Sequence, residues 1–182
     1  MDSKKDIRKN VLNKRNQLTK TEWEDKSRII YDKVIAHSFF LSSDTILCYV
    51  DYRNEVGTRD IIQTAWDMQK TVAVPKVEGD ELSFYVIHTF DDLQEGFKGI
   101  LEPKSTELFN NDNMLVIMPG AAFDSKKNRI GYGKGFYDKF LMKCPEAKTI
   151  GLGFECQIVE EVPAEEHDLR PSVLITEEHI YV

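Results

Sequence analysis

Leu115-Val116-Ile117-Met118-Pro119-Gly120-Ala121-Ala122-Phe123-Asp124, continued by Arg129-Ile130-Gly131-Tyr132-Gly133-Lys134-Gly135-Phe136-Tyr137-Asp138, passes from an apolar run to a glycine loop to an amphipathic stretch. The apolar run reads as a buried strand, and Gly135 to Lys143 reads as a helix with Phe136, Phe140 and Leu141 turned to the sheet. A strand feeding a helix in this way is the unit of an α/β layered fold. The loop between them has glycines at 131, 133 and 135, where the backbone can approach a ligand without a Cβ in the way. A helix that starts near Gly135 aims its free N–H groups and positive end into that loop, and Arg129 and Lys134 add formal charge. The combination favours an anion, although glycines that merely serve turns in a surface loop would look the same.

Two familiar phosphate-binding patterns do not fit. Lys134 is followed by Gly135, which has no hydroxyl for magnesium, so the segment is not a P-loop. The glycines run G-x-G-x-G about a dozen residues after the strand, unlike the dinucleotide fingerprint. Asp138, one turn inside the helix, has the chemistry to cap, to face solvent, or to hold Mg²⁺ beside a phosphate.

Further apolar runs at Ile46–Val50, Val72–Val74, Leu82–Ile87 and Thr149–Leu152 read as buried strands, with a helix over Thr58–Gln69 between two of them. Upstream, Ile7, Val11, Leu12 and Leu18 mark an amphipathic helix over about Ser3–Leu18. Lys4 and Arg8 lie one turn apart on it and project from one face. Thr21 with Glu24 reads as a capping box for a second helix reaching His37, with Ile29, Ile30, Val34 and Ile35 inward. The expectation is an α/β fold: a single three-layer domain over 1–182 with a mostly parallel or mixed central sheet flanked by helices.

The 182 residues carry a net charge of −7, which argues against general nucleic-acid affinity. The charge is uneven. Residues 1–20 hold seven basic side chains against two acidic ones, and residues 124–139 hold five against two, so two cationic islands stand in an acidic body. Either island alone could be a solvated face, but together they suggest a small polyanionic ligand. No run approaches the roughly 20 apolar residues of a membrane span. The three cysteines, Cys48, Cys144 and Cys156, form no C-x-x-C pair. A cytoplasmic protein is expected, with small-molecule substrates, no nucleic acid, no membrane partner, and a monomeric or weakly dimeric state.

The glycine-loop segment closely resembles the signature of the 5-formyltetrahydrofolate cyclo-ligase (methenyltetrahydrofolate synthetase) family. The resemblance extends to Lys4-x-x-x-Arg8, Asn54-Glu55-Val56, Pro75-Lys76-Val77, Gly99-Ile100-Leu101-Glu102-Pro103 and Val162-Pro163 through His167-Asp168. It implies a ligase that uses ATP and Mg²⁺ to convert 5-formyltetrahydrofolate to 5,10-methenyltetrahydrofolate. By the same resemblance Lys4, Arg8 and the stretch Arg129, Ile130, Gly131, Tyr132, Gly133, Lys134, Gly135, Phe136 and Tyr137 would bind ATP, with Arg129 and Lys134 catalytic. Val50, Glu55, Tyr132, Phe136 and Tyr137 would contact the folate, and Asp138 and Asp168 the metal. Read without the family, Glu55 and Asp168 are ordinary exposed acids, and Val50 and Phe136 serve core packing equally well. Related α/β architectures also serve sugar-phosphate isomerases and CoA transferases, and a binding protein without turnover would keep the same residues. Three positions depart from the family pattern: Lys127 for a turn glycine, Phe136 for a tyrosine and Ser172 for an aspartate.

Overall fold

The computed structural model describes residues 3–110, 112–165 and 168–182, apart from the side chain of Phe97. Helix α1 (Lys4–Arg15) is capped by Ser3, whose Oγ accepts from the Asp6 N–H. Helix α2 (Lys20–Ala36) follows, then α3 (Ser38–Ser42), strand β1 (Thr45–Cys48), α4 (Arg59–Asp67), β2 (Thr71–Glu78) and β3 (Glu81–Val86). A small hairpin, β4 (Leu93–Glu95) and β5 (Leu101–Pro103), precedes β6 (Met114–Met118), β7 (Ala122–Asp124) and β8 (Arg129–Ile130). The chain closes with α5 (Phe136–Lys143), β9 (Lys148–Leu152), β10 (Ile158–Val159), β11 (Val173–Ile175) and β12 (Ile180–Tyr181).

Seven strands form the central sheet in the order β12-β11-β9-β6-β1-β2-β3. The five inner strands are parallel, and β3 and β12 run antiparallel at the edges. Side chains alternate across the sheet as the pleat requires. Ile46, Cys48, Leu115, Ile117 and Ile150 face a layer holding Ile30 and Val34 of α2, Phe40 of α3, and Ile61, Ile62 and Ala65 of α4. Leu47, Val116 and Met118 face the other way, toward Leu141 and Phe140 of α5. Both faces are therefore dry, and this is why the strands read as continuous apolar runs rather than as alternating ones. The three-layer α/β expectation holds.

Strand order has a switch point between β1 and β6. After β1 the chain moves to β2 on one side, and after β6 it moves to β9 on the other. Connections leaving the carboxyl ends of β1 and β6 therefore diverge, and in open α/β sheets this switch point is where ligands bind. Val50 and Glu55 lie on the connection after β1, and Pro119 and Gly120 on the one after β6.

Local readings needed four corrections. The capping box on α2 is Thr19 with Glu22, not Thr21 with Glu24. Thr19 Oγ1 accepts from the Glu22 N–H at 3.2 Å, while Glu22 Oε2 accepts from the Thr19 N–H at 2.8 Å. Both pairs satisfy the T-x-x-E pattern, and only the backbone direction at Thr19 distinguishes them. Ile29 is 44% exposed, because the inward stripe of α2 follows Ile30 and Val34. Strand β1 stops at Cys48, with Tyr49 and Val50 buried beyond its ladder. The first helix ends at Arg15, and its inward face is Ile7, Val11 and Arg15.

A second, three-stranded sheet, β10-β7-β8, carries α1 on a core of Ile7, Val11, Ala122, Ile130 and Val162. Its anchor is Phe123, fully buried, whose ring fills the space left by glycines. A Cβ on Gly120 would collide with the Phe123 ring, and one on Gly153 would lie 2.8 Å from its Cε2. The Gly120 and Phe123 pair in the sequence is thus a packing pair, with Gln157 Nε2 holding the Gly120 and Ala121 carbonyls at 2.8 and 3.0 Å. Gly120→Ala is expected to cost about 1–3 kcal/mol in urea unfolding through overpacking against that ring; an unchanged midpoint would contradict the packing role.

Candidate active site

Helix α1 is the basic wall of the cleft. At about 100° per residue, Lys4, Arg8 and Arg15 fall within roughly 40° of one another, so all three point the same way. Each contacts a different partner. Lys4 Nζ donates to Asp168 Oδ2 at 2.6 Å and lies 3.5 Å from Glu165 Oε1. Burial opposes the charge on Lys4, but the hydrogen bond and charge of Asp168, with Glu165 behind it, prevail and raise its pKa. Arg8 Nε donates to the Gly131 carbonyl at 2.9 Å, and Arg15 Nη1 donates to the Tyr132 hydroxyl at 3.0 Å.

The glycine loop lies beside these groups. Gly133 and Gly135 take φ of +98° and +62°, the left-handed region where a side chain is strained. Gly135 is the N-cap of α5 and makes no side-chain cap bond, so the first N–H groups of that helix remain directed toward the loop. Lys134 is exposed, and among the described residues no hydrogen bond or ion pair engages its ammonium. The Ile130 side chain is 2% exposed and packs under α1, so only its backbone can serve a ligand.

Arg129 is 8% exposed. Its Nη2 donates to Asp138 Oδ2 at 3.2 Å, its Nη1 donates to the Pro119 carbonyl at 3.3 Å, and its guanidinium sits 5.7 Å from the centre of the Tyr137 ring. Asp138 Oδ1 accepts from the Leu169 N–H at 2.9 Å, which draws the C-terminal segment over the loop and puts Asp168 beside it. Two carboxylates of distant sequence, Asp138 and Asp168, thereby share one rim. His167 lies outside the described residues.

Opposite the loop stands Glu55. Its Oε2 accepts from the Tyr52 N–H at 2.9 Å, and its carbonyl accepts from Trp23 Nε1 at 2.7 Å. Burial raises its pKa, with Asp51 adding to the effect, against the opposing pull of the Tyr132 hydroxyl, the Tyr52 N–H and Arg15. The Tyr132 ring is 48% exposed, but its hydroxyl end is enclosed, and burial together with Glu55 holds its pKa well up. Val50 is 6% exposed within the core, while Phe136 and Tyr137 are half-buried, Tyr137 edge-on to Phe84. Burial likewise pushes the Tyr137 pKa upward.

Loop backbone, the cations Arg8 and Arg129, the Glu55 carboxylate and the Tyr132 and Tyr137 rings thus come from separate segments to one region of the fold. The pattern of the 5-formyltetrahydrofolate cyclo-ligase family matches residues 1–177. The chain belongs to this family. Membership makes it a ligase of folate metabolism. The mouse 5-formyltetrahydrofolate cyclo-ligase is 25% identical over 97% of this chain and 94% of its own length. The Haemophilus influenzae enzyme is 31% identical over 68% of this chain and 71% of its own. The solution structure of Aquifex aeolicus 5,10-methenyltetrahydrofolate synthetase superposes with a TM-score of 0.83 at 32% identity, covering 97% of this chain and 91% of that one.

Two of the three departures from the cyclo-ligase pattern, Lys127 and Ser172, make local contacts, and nothing in the structure explains Phe136. Lys127 adopts φ +66°, so the glycine-type turn is kept with a lysine in it, and Lys127 Nζ donates to the Ser172 carbonyl at 3.0 Å. The turn is closed by Asp124, 1% exposed, whose carboxylate accepts from the N–H groups of Lys126, Asn128 and Val162 and from Asn128 Nδ2. Ser172 pairs through its N–H and hydroxyl with Thr149 Oγ1. Sequence reasoning passed over Arg15, although its eleven-residue offset from Lys4 placed it on the same helical face.

The raised Glu55 pKa has a stability consequence. The protonated form is favoured by folding, so its contribution is complete below the ordinary value of 4.5 and is lost as pH rises through the folded pKa. Glu55→Gln imitates that form, so its melting temperature is expected to exceed wild type at about pH 8, with the gain fading toward about pH 4. A difference independent of pH would rule this out.

Proposed function

We propose that this enzyme closes 5-formyltetrahydrofolate to 5,10-methenyltetrahydrofolate at the expense of ATP, working as one 182-residue domain on small-molecule substrates in the cytoplasm, as a monomer or weak homodimer. The observation that supports the reading is the gathering beyond β1 and β6, where Arg8 holds the glycine loop, Tyr132 of that loop accepts from Arg15 and lies near Glu55, and Arg129 lies over Tyr137. One wall suits a phosphate chain. The other suits a flat, donor-rich ring, since a carboxylate accepts from pterin N–H groups and aromatic surface covers the ring.

The chemistry explains why both substrates must share a pocket. The formamide oxygen is a poor leaving group. It attacks the γ-phosphorus of ATP, the bond from that phosphorus to the β-bridging oxygen breaks, and ADP leaves. The resulting iminium phosphate is open to attack by N10 on the formyl carbon, and phosphate and the N10 proton depart as the ring closes. Little covalent chemistry falls to the protein, whose task is alignment and charge neutralisation. Arg129 and Lys134 would stabilise the phosphoryl group in transfer, and Lys4, Arg8 and the Gly131–Gly135 backbone would hold the phosphate chain.

Asp138 and Asp168 fit Mg²⁺ by donor type, being hard carboxylate oxygens linked through the Asp138–Leu169 hydrogen bond, although Arg129 and Lys4 respectively hold them now. When bound there, the ion would neutralise phosphate charge.

The direct test is growth of methenyltetrahydrofolate absorbance from 5-formyltetrahydrofolate with ATP and Mg²⁺, with ATP-only and folate-only controls. No signal from folded protein defeats the proposal, and turnover without nucleotide points to an isomerase or transferase. Lys134→Ala is expected to lower kcat/KM for ATP about ten- to a hundredfold, the worth of a charge-assisted phosphate contact, at an unchanged melting temperature. Equal losses of activity and stability would count against the role of Lys134.

A further inference from the structure

Arg15 is an anomaly of α1. It continues the inward stripe of Ile7 and Val11, is 4% exposed, and yet carries a guanidinium where a leucine would pack. Burying such a charge is unfavourable unless geometry repays it. Among the described residues no carboxylate lies within ion-pair distance of it, and its Nε has no hydrogen-bond partner. Among the described residues, the one hydrogen bond of its guanidinium is to the Tyr132 hydroxyl at 3.0 Å. A buried arginine with no carboxylate in direct contact, hydrogen-bonded to a single tyrosine, adds little to folding, so its use lies in what that tyrosine does.

Tyr132 joins the two halves of the cleft. Its backbone belongs to the glycine loop, between Gly131, held by Arg8, and Gly133. Its hydroxyl reaches the Glu55 side on the β1 connection. Because Nη1 of Arg15 donates into the hydroxyl oxygen, the hydroxyl proton is free to turn toward another acceptor, and Glu55 is near enough for the two groups to shift one another's pKa. Glu55 is also faced by Asp51, Tyr49 and Tyr137. Of these groups and Tyr132, none is cationic. Arg15 is the one that supplies positive charge.

We infer that Arg15 is a positioning residue for the folate half of the pocket, fixing the Tyr132 hydroxyl against Glu55 so that the glycine loop and the β1 connection meet the substrate in a single arrangement. The inference rests on the proposed folate role of Glu55. It predicts that Arg15 acts on 5-formyltetrahydrofolate and not on ATP, although it shares a helix face with Lys4 and Arg8. It also predicts that Arg15 and Tyr132 act as one unit, so their substitutions do not add.

The test compares Arg15→Met, Arg15→Lys, Tyr132→Phe, the Arg15→Met/Tyr132→Phe double variant and Glu55→Gln. Steady-state constants for both substrates are measured, together with calorimetric binding of 5-formyltetrahydrofolate without ATP. Arg15→Met and Tyr132→Phe are each expected to raise KM and Kd for the folate about tenfold, with KM for ATP within about twofold and the double variant no worse than the worse single one. Arg15→Lys, which keeps the charge but loses the fork geometry, should recover part of the loss. If Arg15→Met fails to fold, Tyr132→Phe and Arg15→Lys carry the test, since the Tyr132 ring is half exposed. Unchanged folate binding in the Arg15 and Tyr132 variants, additive losses, or an effect on ATP alone overturns the inference. If Glu55→Gln leaves folate binding intact, the underlying reading of Glu55 fails instead.

Discussion

The ion pair between Arg129 and Asp138, with side chains 5% and 17% exposed, is the joint on which the site depends. Removing either partner of such a buried pair leaves a charge without compensation, which is far costlier than the net worth of the pair. From this joint the contacts close a ring. Arg129 reaches the end of β6 through Pro119, and Asp138 reaches the C-terminal segment through Leu169. Asp168 then binds Lys4 on α1, and Arg8 on that helix returns to Gly131 in the glycine loop. Four segments far apart in sequence are thus held by a short circuit of charge-assisted hydrogen bonds, stronger than neutral ones and demanding in geometry.

The circuit sits where it does because of the sheet. Parallel strands need long crossovers, and those leaving β1 and β6 depart to opposite sides, so the covering layers part at their carboxyl ends. Phe123, seated among Gly120 and Gly153, sets the second sheet against that gap, and the second sheet in turn carries α1. Packing at Phe123 and polar contact at Arg129 serve the same end by different means. The first positions the basic helix, and the second closes the loops around it.

Much of the fold was legible because its cause is local. Buried parallel strands are apolar on both faces, so Leu115–Met118 and Thr149–Leu152 stand out as uninterrupted runs. Helix α5 announced itself through Gly135 and the spacing of Phe140 and Leu141. The short strands β7, β8, β10 and β11 did not, because two or three residues carry no period. The α2 cap was misplaced for a related reason: Thr19 and Thr21 offer the same pattern, and the choice depends on how the chain enters the helix. Within the site, the glycine loop and the Lys4–Arg8 pair could be read from spacing, whereas Arg15 was passed over because a basic residue in a basic helix looks solvated.

The sequence by itself determined the class of layered fold and named the candidates for its chemistry, since residue type and periodicity are properties of the chain alone. Only the tertiary structure decided who meets whom: that Lys4 holds Asp168, that Asp138 draws Leu169 over the loop, and that a buried Arg15 reaches Tyr132. The reason is physical. These contacts join residues separated by 31 to 164 positions, and no local pattern encodes a distance that arises only when the sheet and both its coverings are packed.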